Sequence, residues 1–342
     1  MIPAVDPGWQ SDTWRRLLAE AVTDPRELLE RLGLADHPLM ASIDPASPFP
    51  VRVPEPLLAR MRHGDPDDPI LRQVLASADE RTDPAGFVSD PLGEAESNPV
   101  PGLLHKYRGR ALLIATGGCA VHCRYCFRRH FPYADNNPGL RGLEPALDHL
   151  RRAGDVSEII LSGGDPLLLD DEALARLLAR LEAIPSLTRL RIHTRFPVVI
   201  PQRLTSALGD LLADSRLRCA FVLHANHARE LGDDVESALE VLRSRRIALL
   251  NQAVLLRGVN DSVGALQALS ERLFDLGVTP YYLHLLDRVR ARPTSRSPRT
   301  RRARSTTGWP PARPATWFPG WPGSGPVHRA SPGCRPGGES GS

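Results

Sequence analysis

From about residue 108 to residue 286 the chain alternates between short apolar, β-prone runs and segments of helical period. No other feature constrains the fold as much. The runs fall at 111–115, 158–161, 190–193, 220–223, 248–256 and 280–286. Between the second and third, Leu174, Leu177, Leu178 and Leu181 repeat at i, i+3, i+4 and i+7, the spacing of a one-sided helix. Six β/α units in series predict an α/β fold with a parallel sheet and helices outside it. A barrel or partial barrel would place chemistry at the C-terminal ends of its strands. A doubly wound sheet is the alternative.

Residues 1–103 read differently, as short helices between Pro- and Asp-rich turns. Asp12 or Thr13 can cap a helix carrying Trp14, Leu17, Leu18 and Val22, and Asp24-Pro25 opens another with Leu28, Leu29 and Leu32. No chemistry shows in this helical N-terminal region, which reads as a cap or lid on a barrel at 104–290. Residues 291–342 form a third unit. They hold nine Arg, one acidic residue (Glu339), ten Pro and eight Gly, with no Leu, Ile or Met. Such a segment cannot bury enough apolar surface to offset its chain entropy and reads as disordered.

The net charge of +3, from 43 basic and 40 acidic residues, is therefore a sum over unlike parts. The tail carries +8 and the rest −5, which excludes a generally basic nucleic-acid-binding body. The N-terminus lacks a secretion signal, no apolar run suits a membrane span, and five Cys in 342 residues make no disulfide scaffold. A cytoplasmic location is expected. Lys106 is the only lysine; the other 42 basic residues are arginine.

The strongest chemical signal follows the first barrel strand: Gly117-Gly118-Cys119-Ala120-Val121-His122-Cys123-Arg124-Tyr125-Cys126. One loop with C-x3-C-x2-C spacing can bring three thiolates to one face of an iron–sulfur cubane and leave the fourth iron open to a chelator. A zinc site with His122 or His130 as fourth ligand is the rival, although zinc sites usually pair two separated knuckles and no second one exists here. Cys219, in an apolar strand, reads as a buried apolar residue.

That cysteine string resembles the radical S-adenosylmethionine (SAM) enzymes, and further strings narrow the resemblance. His105-Lys106-Tyr107, Arg128-Arg129-His130-Phe131-Pro132-Tyr133, Leu161-Ser162-Gly163-Gly164-Asp165-Pro166-Leu167, Leu190-Arg191-Ile192-His193-Thr194-Arg195, Leu250-Asn251-Gln252-Ala253-Val254 and Pro280-Tyr281-Tyr282-Leu283-His284-Leu285-Leu286-Asp287 resemble the lysine 2,3-aminomutase family. The nearest branch is the one that supplies (R)-β-lysine for elongation factor P. The likeness runs from about residue 14 to residue 289.

The resemblance implies a radical SAM partial (β/α)6 barrel that converts (S)-α-lysine to (R)-β-lysine, which a partner ligase then attaches to elongation factor P. It implies a [4Fe–4S] cluster on Cys119, Cys123 and Cys126, with SAM chelated at the open iron and cleaved by one electron. Ser162, Gly163, Gly164 and Asp165 would hold the methionine amino group of SAM, Asp165 as an ammonium acceptor. His224, Asn226 and Gln252 match positions that contact SAM. The substrate is carried on pyridoxal 5′-phosphate. Arg128 matches the residue that meets its carboxylate, and Asp287 one that faces its ε-ammonium. Lys106, Tyr107 and Arg110 match a segment around the cofactor phosphate.

The family's pyridoxal-bearing lysine has no counterpart, because no lysine follows residue 106. Codon degeneracy offers a reason. Reading 315–321 one nucleotide back, the codons of Trp317-Phe318 force Val at the fourth place. The other places allow Gly, Tyr, Leu, Pro, Arg and Leu. That accommodates a Gly-Tyr-Leu-Val-Pro-Arg-Leu string found near the family's C-terminus. The tail is thus expected to be frame-shifted, and the chain as written impaired as an aminomutase. The alternatives are a radical SAM aminomutase for another amino acid, such as glutamate, and a non-catalytic metal-binding protein with a basic nucleic-acid-binding tail.

Overall fold

A computed structural model describes residues 12–81 and 86–289. The expectations for residues 291–342, Cys334 among them, lie outside the described residues. Seven strands form one sheet in sequence order: β1 (Leu103–Tyr107), β2 (Arg110–Thr116), β3 (Glu158–Gly163), β4 (Arg189–Thr194), β5 (Arg218–His224), β6 (Ala248–Leu255) and β7 (Thr279–Leu285). From β2 to β7 every neighbouring pair is parallel, and β1 pairs antiparallel with β2. The edge strands β1 and β7 do not pair with each other, so the sheet is an unclosed, partial barrel. The six parallel strands are those the sequence predicts, and β1 is an addition. Its Leu103 and Leu104 are buried, but Pro101-Gly102 just before them reads as a turn.

Helices on one face make the crossovers. Asp171–Glu182 buries the predicted Leu174, Leu177, Leu178 and Leu181, and the Asp170 side chain caps it by accepting from the Ala173 N–H at 2.8 Å. Thr205 and Ser262 cap Ser206–Ala213 and Val263–Asp275 in the same way. Leu113, Ile159, Leu161, Leu190, Ile192, Phe221 and Leu223 pack beneath these helices in one continuous core. Side chains alternate along a strand, so Arg110, Glu158, Arg191, His193, His224 and Gln252 turn to the other, concave face.

The N-terminal region belongs to that core. Its helices Thr13–Ala19 and Pro25–Arg31 bury Trp14, Leu28 and Leu29 in it. Trp14 meets Phe196 edge-on at 5.7 Å, under the guanidinium of Arg203. Val22 lies beyond the first helix, where it pairs with Val53. Asp24 caps the second helix as expected, but Asp12 makes no side-chain cap bond.

Candidate cofactor and substrate site

The loop after β2 carries Cys119, Cys123 and Cys126, all half-buried and none in a disulfide. Burial pushes the Cys119 thiol well above its ordinary range. The neighbouring Cys126, Asp165 and Cys123 push it further, and Arg128 pulls back. Three sulfurs and a carboxylate therefore share one poorly solvated space. The buried Cys119 thiol gives up its proton more readily once a cation is beside it, and three sulfurs on one loop are the donor type a soft metal centre takes. Neither histidine proposed for zinc joins. The His122 ring stacks on Phe49 at 4.8 Å with Nδ1 at 2.9 Å from the Pro50 carbonyl, and His130 is exposed. Among the described residues no group of three or more His, Cys, Asp or Glu closes on a single ion.

The turn after β3 packs against the start of this loop. Gly163 has φ +108°, open to glycine and strained for other residues. A Cβ on Gly164 would lie 2.0 Å from the Gly118 carbonyl oxygen. Backbone bonds seal the contact: Gly164 N–H donates to the Thr116 carbonyl at 2.8 Å and Asp165 N–H to the Gly118 carbonyl at 2.7 Å. The Asp165 carboxylate is buried and already accepts four bonds, from Thr194 Oγ1 (2.7 Å), Arg195 N–H (2.7 Å), Phe196 N–H (3.1 Å) and Leu167 N–H (3.1 Å). It locks the ends of β3 and β4 together.

Arg128 is buried at the same end, stacked on Phe127. Its Nε and Nη2 donate to Glu94, at 2.9 and 2.6 Å, and Nη1 donates to Ser162 Oγ at 3.0 Å. Glu94 takes the side-on face of the guanidinium, which leaves the end-on face, shared with Ser162, for any further carboxylate. His224 and Gln252 stand side by side in the β5–β6 register at the same mouth. The His224 Nε2 is buried without a hydrogen-bond partner, and burial holds the ring neutral. Asp287 follows the end of β7, also at this mouth. Asn226 is held by protein at both amide ends: its Nδ2 donates to Gln73 Oε1 (2.9 Å) and its Oδ1 accepts from Val254 N–H (2.7 Å).

Lys106, Tyr107 and Arg110 lie at the opposite end of β2, roughly 20 Å along the strand from the cysteine loop. Lys106 Nζ donates to the Leu92 carbonyl at 3.0 Å and Tyr107 is exposed. Arg110 points at Glu158 (3.8 Å), which also binds Arg191 at 2.7 Å, and Arg191 reaches the Tyr281 hydroxyl at 3.3 Å. This charged floor was not legible from single motifs. Nor was the group around Arg195, whose Nη1 lies 2.7 Å from Cys123 Sγ and whose Nη2 donates to Glu230 and Gln73, each at 2.8 Å. Arg195 ends a string the sequence singles out, but its partners lie 35 and 122 residues away.

Comparison with known proteins fits this geometry. Residues 113–266 match the radical SAM superfamily. The chain is 51% identical to the L-lysine 2,3-aminomutase of Escherichia coli K12 over 279 residues, 81% of each protein. The chain belongs to the L-lysine 2,3-aminomutase family. The Haemophilus influenzae L-lysine 2,3-aminomutase is 47% identical over 280 residues, 82% of this chain and 83% of its own. A radical SAM methyltransferase from Sphaerobacter thermophilus is similar over 60% of this chain and 64% of its own, at 22% identity and a TM-score of 0.40. As a radical SAM aminomutase the chain is an isomerase, and its class implies a [4Fe–4S] cluster and SAM. No helix among the described residues is long and apolar enough to cross a membrane.

Proposed function

We propose that the chain is a lysine 2,3-aminomutase that makes (R)-β-lysine from (S)-α-lysine for elongation factor P, working in the cytoplasm upstream of the ligase that consumes the product. The observation that carries the reading is the shared pocket of Cys119, Cys123, Cys126 and the Asp165-locked turn at one mouth of an unclosed barrel. The three cysteines would hold the cluster there. When bound, a [4Fe–4S] cluster with an open iron supplies one electron and a chelation point for SAM.

The chain's own residues do the positioning. Gly163 and Gly164 bring the turn after β3 into contact with the cysteine loop, and that turn would hold the methionine amino group of SAM beside the cluster. His224 keeps a neutral, unpartnered Nε2 for a hydrogen bond to a bound ligand. The end-on face of Arg128 would meet a substrate carboxylate, and Asp287 the ε-ammonium.

Pyridoxal phosphate does not find its covalent anchor. Lys106 is the only lysine, and its Nζ donates to the Leu92 carbonyl at the far end of β2. The chain as written is therefore expected to be impaired. The test is a lysine-to-β-lysine assay on this chain and on one whose frame is restored after codon 290, with borohydride trapping of added pyridoxal phosphate. The expected result is turnover and a trapped adduct only with the restored frame. Turnover or an adduct on the chain as written would contradict the reading. Sequencing the gene across codon 290 checks the frame directly.

A further inference from the structure

Arg195 is buried among groups that hold both terminal nitrogens of its guanidinium. Glu230, itself fully buried, accepts from Nη2 at 2.8 Å, Gln73 Oε1 accepts from the same nitrogen, and the plane lies 5.4 Å from the Tyr125 ring centre. Glu230 and Gln73 are fixed in turn. Glu230 Oε1 accepts from the Asn226 and His227 N–H groups and from Gln73 Nε2, at 2.8, 2.9 and 3.0 Å. Gln73 Nε2 also donates to the Pro69 carbonyl, and the Gln73 carbonyl accepts from Arg124 N–H, inside the cysteine loop, at 2.8 Å. The scaffold therefore holds both ends of one contact: Arg195 Nη1 donating to Cys123 Sγ at 2.7 Å. Nothing in the lysine rearrangement described above uses it.

We propose that Arg195 is a positioning residue that sets the reduction potential of the cluster held by Cys119, Cys123 and Cys126. The inference rests on those cysteines being the cluster ligands. A hydrogen bond into a ligand sulfur withdraws charge from the cluster and favours its reduced, more negative form. Because Glu230 neutralises the guanidinium, the directed N–H bond carries most of the effect. One electron enters from an external one-electron reductant and takes the cluster from 2+ to 1+; no bond breaks and no proton moves. The linkage also makes the N-terminal region, through Gln73, part of the cluster's electrostatic surroundings.

The test is a reductive titration of the anaerobically reconstituted full chain, followed by electron paramagnetic resonance. Wild type is compared with Arg195→Lys and with the neutral pair Arg195→Gln, Glu230→Gln, which avoids an unpaired buried charge. Iron and sulfide content establish loading in each. The neutral pair is expected to make reduction about tenfold less favourable, a fall of about 59 mV for a one-electron couple. Arg195→Lys is expected to shift the same way by less. A fully loaded variant of either kind with the wild-type potential overturns the proposal, and if the neutral pair does not fold the lysine variant decides alone. A wild-type chain that takes up no cluster overturns the cysteine assignment, and this inference with it.

Discussion

The two ends of β2 are built on opposite principles. At its C-terminal end, three thiols, Asp165, Arg195, Glu230 and Asn226 form a buried polar assembly in which each carboxylate and amide has named partners. At its N-terminal end, Lys106 and Tyr107 are exposed, and Arg110 shares Glu158 with Arg191. A buried polar group without a partner costs about 1–3 kcal/mol, so a pocket folded in advance must satisfy its own scaffold. At the cysteine end Asp165, Glu230 and the Asn226 amide are satisfied by described partners that include Gln73, Thr194 and Val254. The far end presents cations that bind phosphate only if the rest of a site, a lysine above all, is supplied from elsewhere. One mouth is thus expected to load its cofactors and the other not.

Substitutions separate the two ends most sharply. Cys119→Ala, Cys123→Ala or Cys126→Ala should each abolish stable cluster binding, read as loss of iron, labile sulfide and visible absorption. Lys106→Ala should leave all three at wild-type levels. Retention of a full cluster after any of the cysteine changes would break the comparison.

Next in size is Asp165→Ala. It strands four donors, two of them at the start of the short helix after β4, and should lower stability by about 3 kcal/mol or more in chemical denaturation. Asp165→Asn, which keeps part of the acceptor capacity, should cost less. A ligand-only role predicts instead weakened SAM binding with unchanged stability. Leu177→Ala, on the helical face away from both mouths, should cost about 2–5 kcal/mol and leave cofactor binding intact.

The smallest effect concerns pH. Burial, then the Arg191, Arg128 and His284 charges, lowers His193 to about 3. Its buried Nε2 has no hydrogen-bond partner. The folded state keeps the ring neutral while the unfolded chain protonates it below about 6.5. Below that pH the unfolded state binds more protons, so stability falls as pH drops from 6.5 towards 3 and levels off beneath it. His224 and His284 shift the same way. His193→Gln should flatten part of this acid limb in denaturation curves measured between pH 7 and 4. An unchanged slope would show that the ring is already solvated.

The sheet was legible because its strands carry apolar runs and its helices a clean leucine stripe. The cysteine loop was legible because its three cysteines lie within eight residues. Other features were not. Asp165 reads as a ligand in a Gly-Gly-Asp turn, yet its four donors include Thr194 and the backbone of Arg195 and Phe196, some thirty residues on. Asn226 likewise has partners, Gln73 and Val254, that no local motif marks. Glu94 gave no signal at all, since nothing local marks a carboxylate destined for Arg128, 34 residues later. Local pattern reveals what a segment does alone; it does not reveal which buried polar side chains will find each other after folding.

The claim that the cysteine end is a complete cluster site is tested most directly by metal analysis of the anaerobically purified, reconstituted chain. The expected result is about four irons and about four labile sulfides per chain, falling to background when Cys123 is replaced. A single tightly held zinc, or no metal at all, would contradict it.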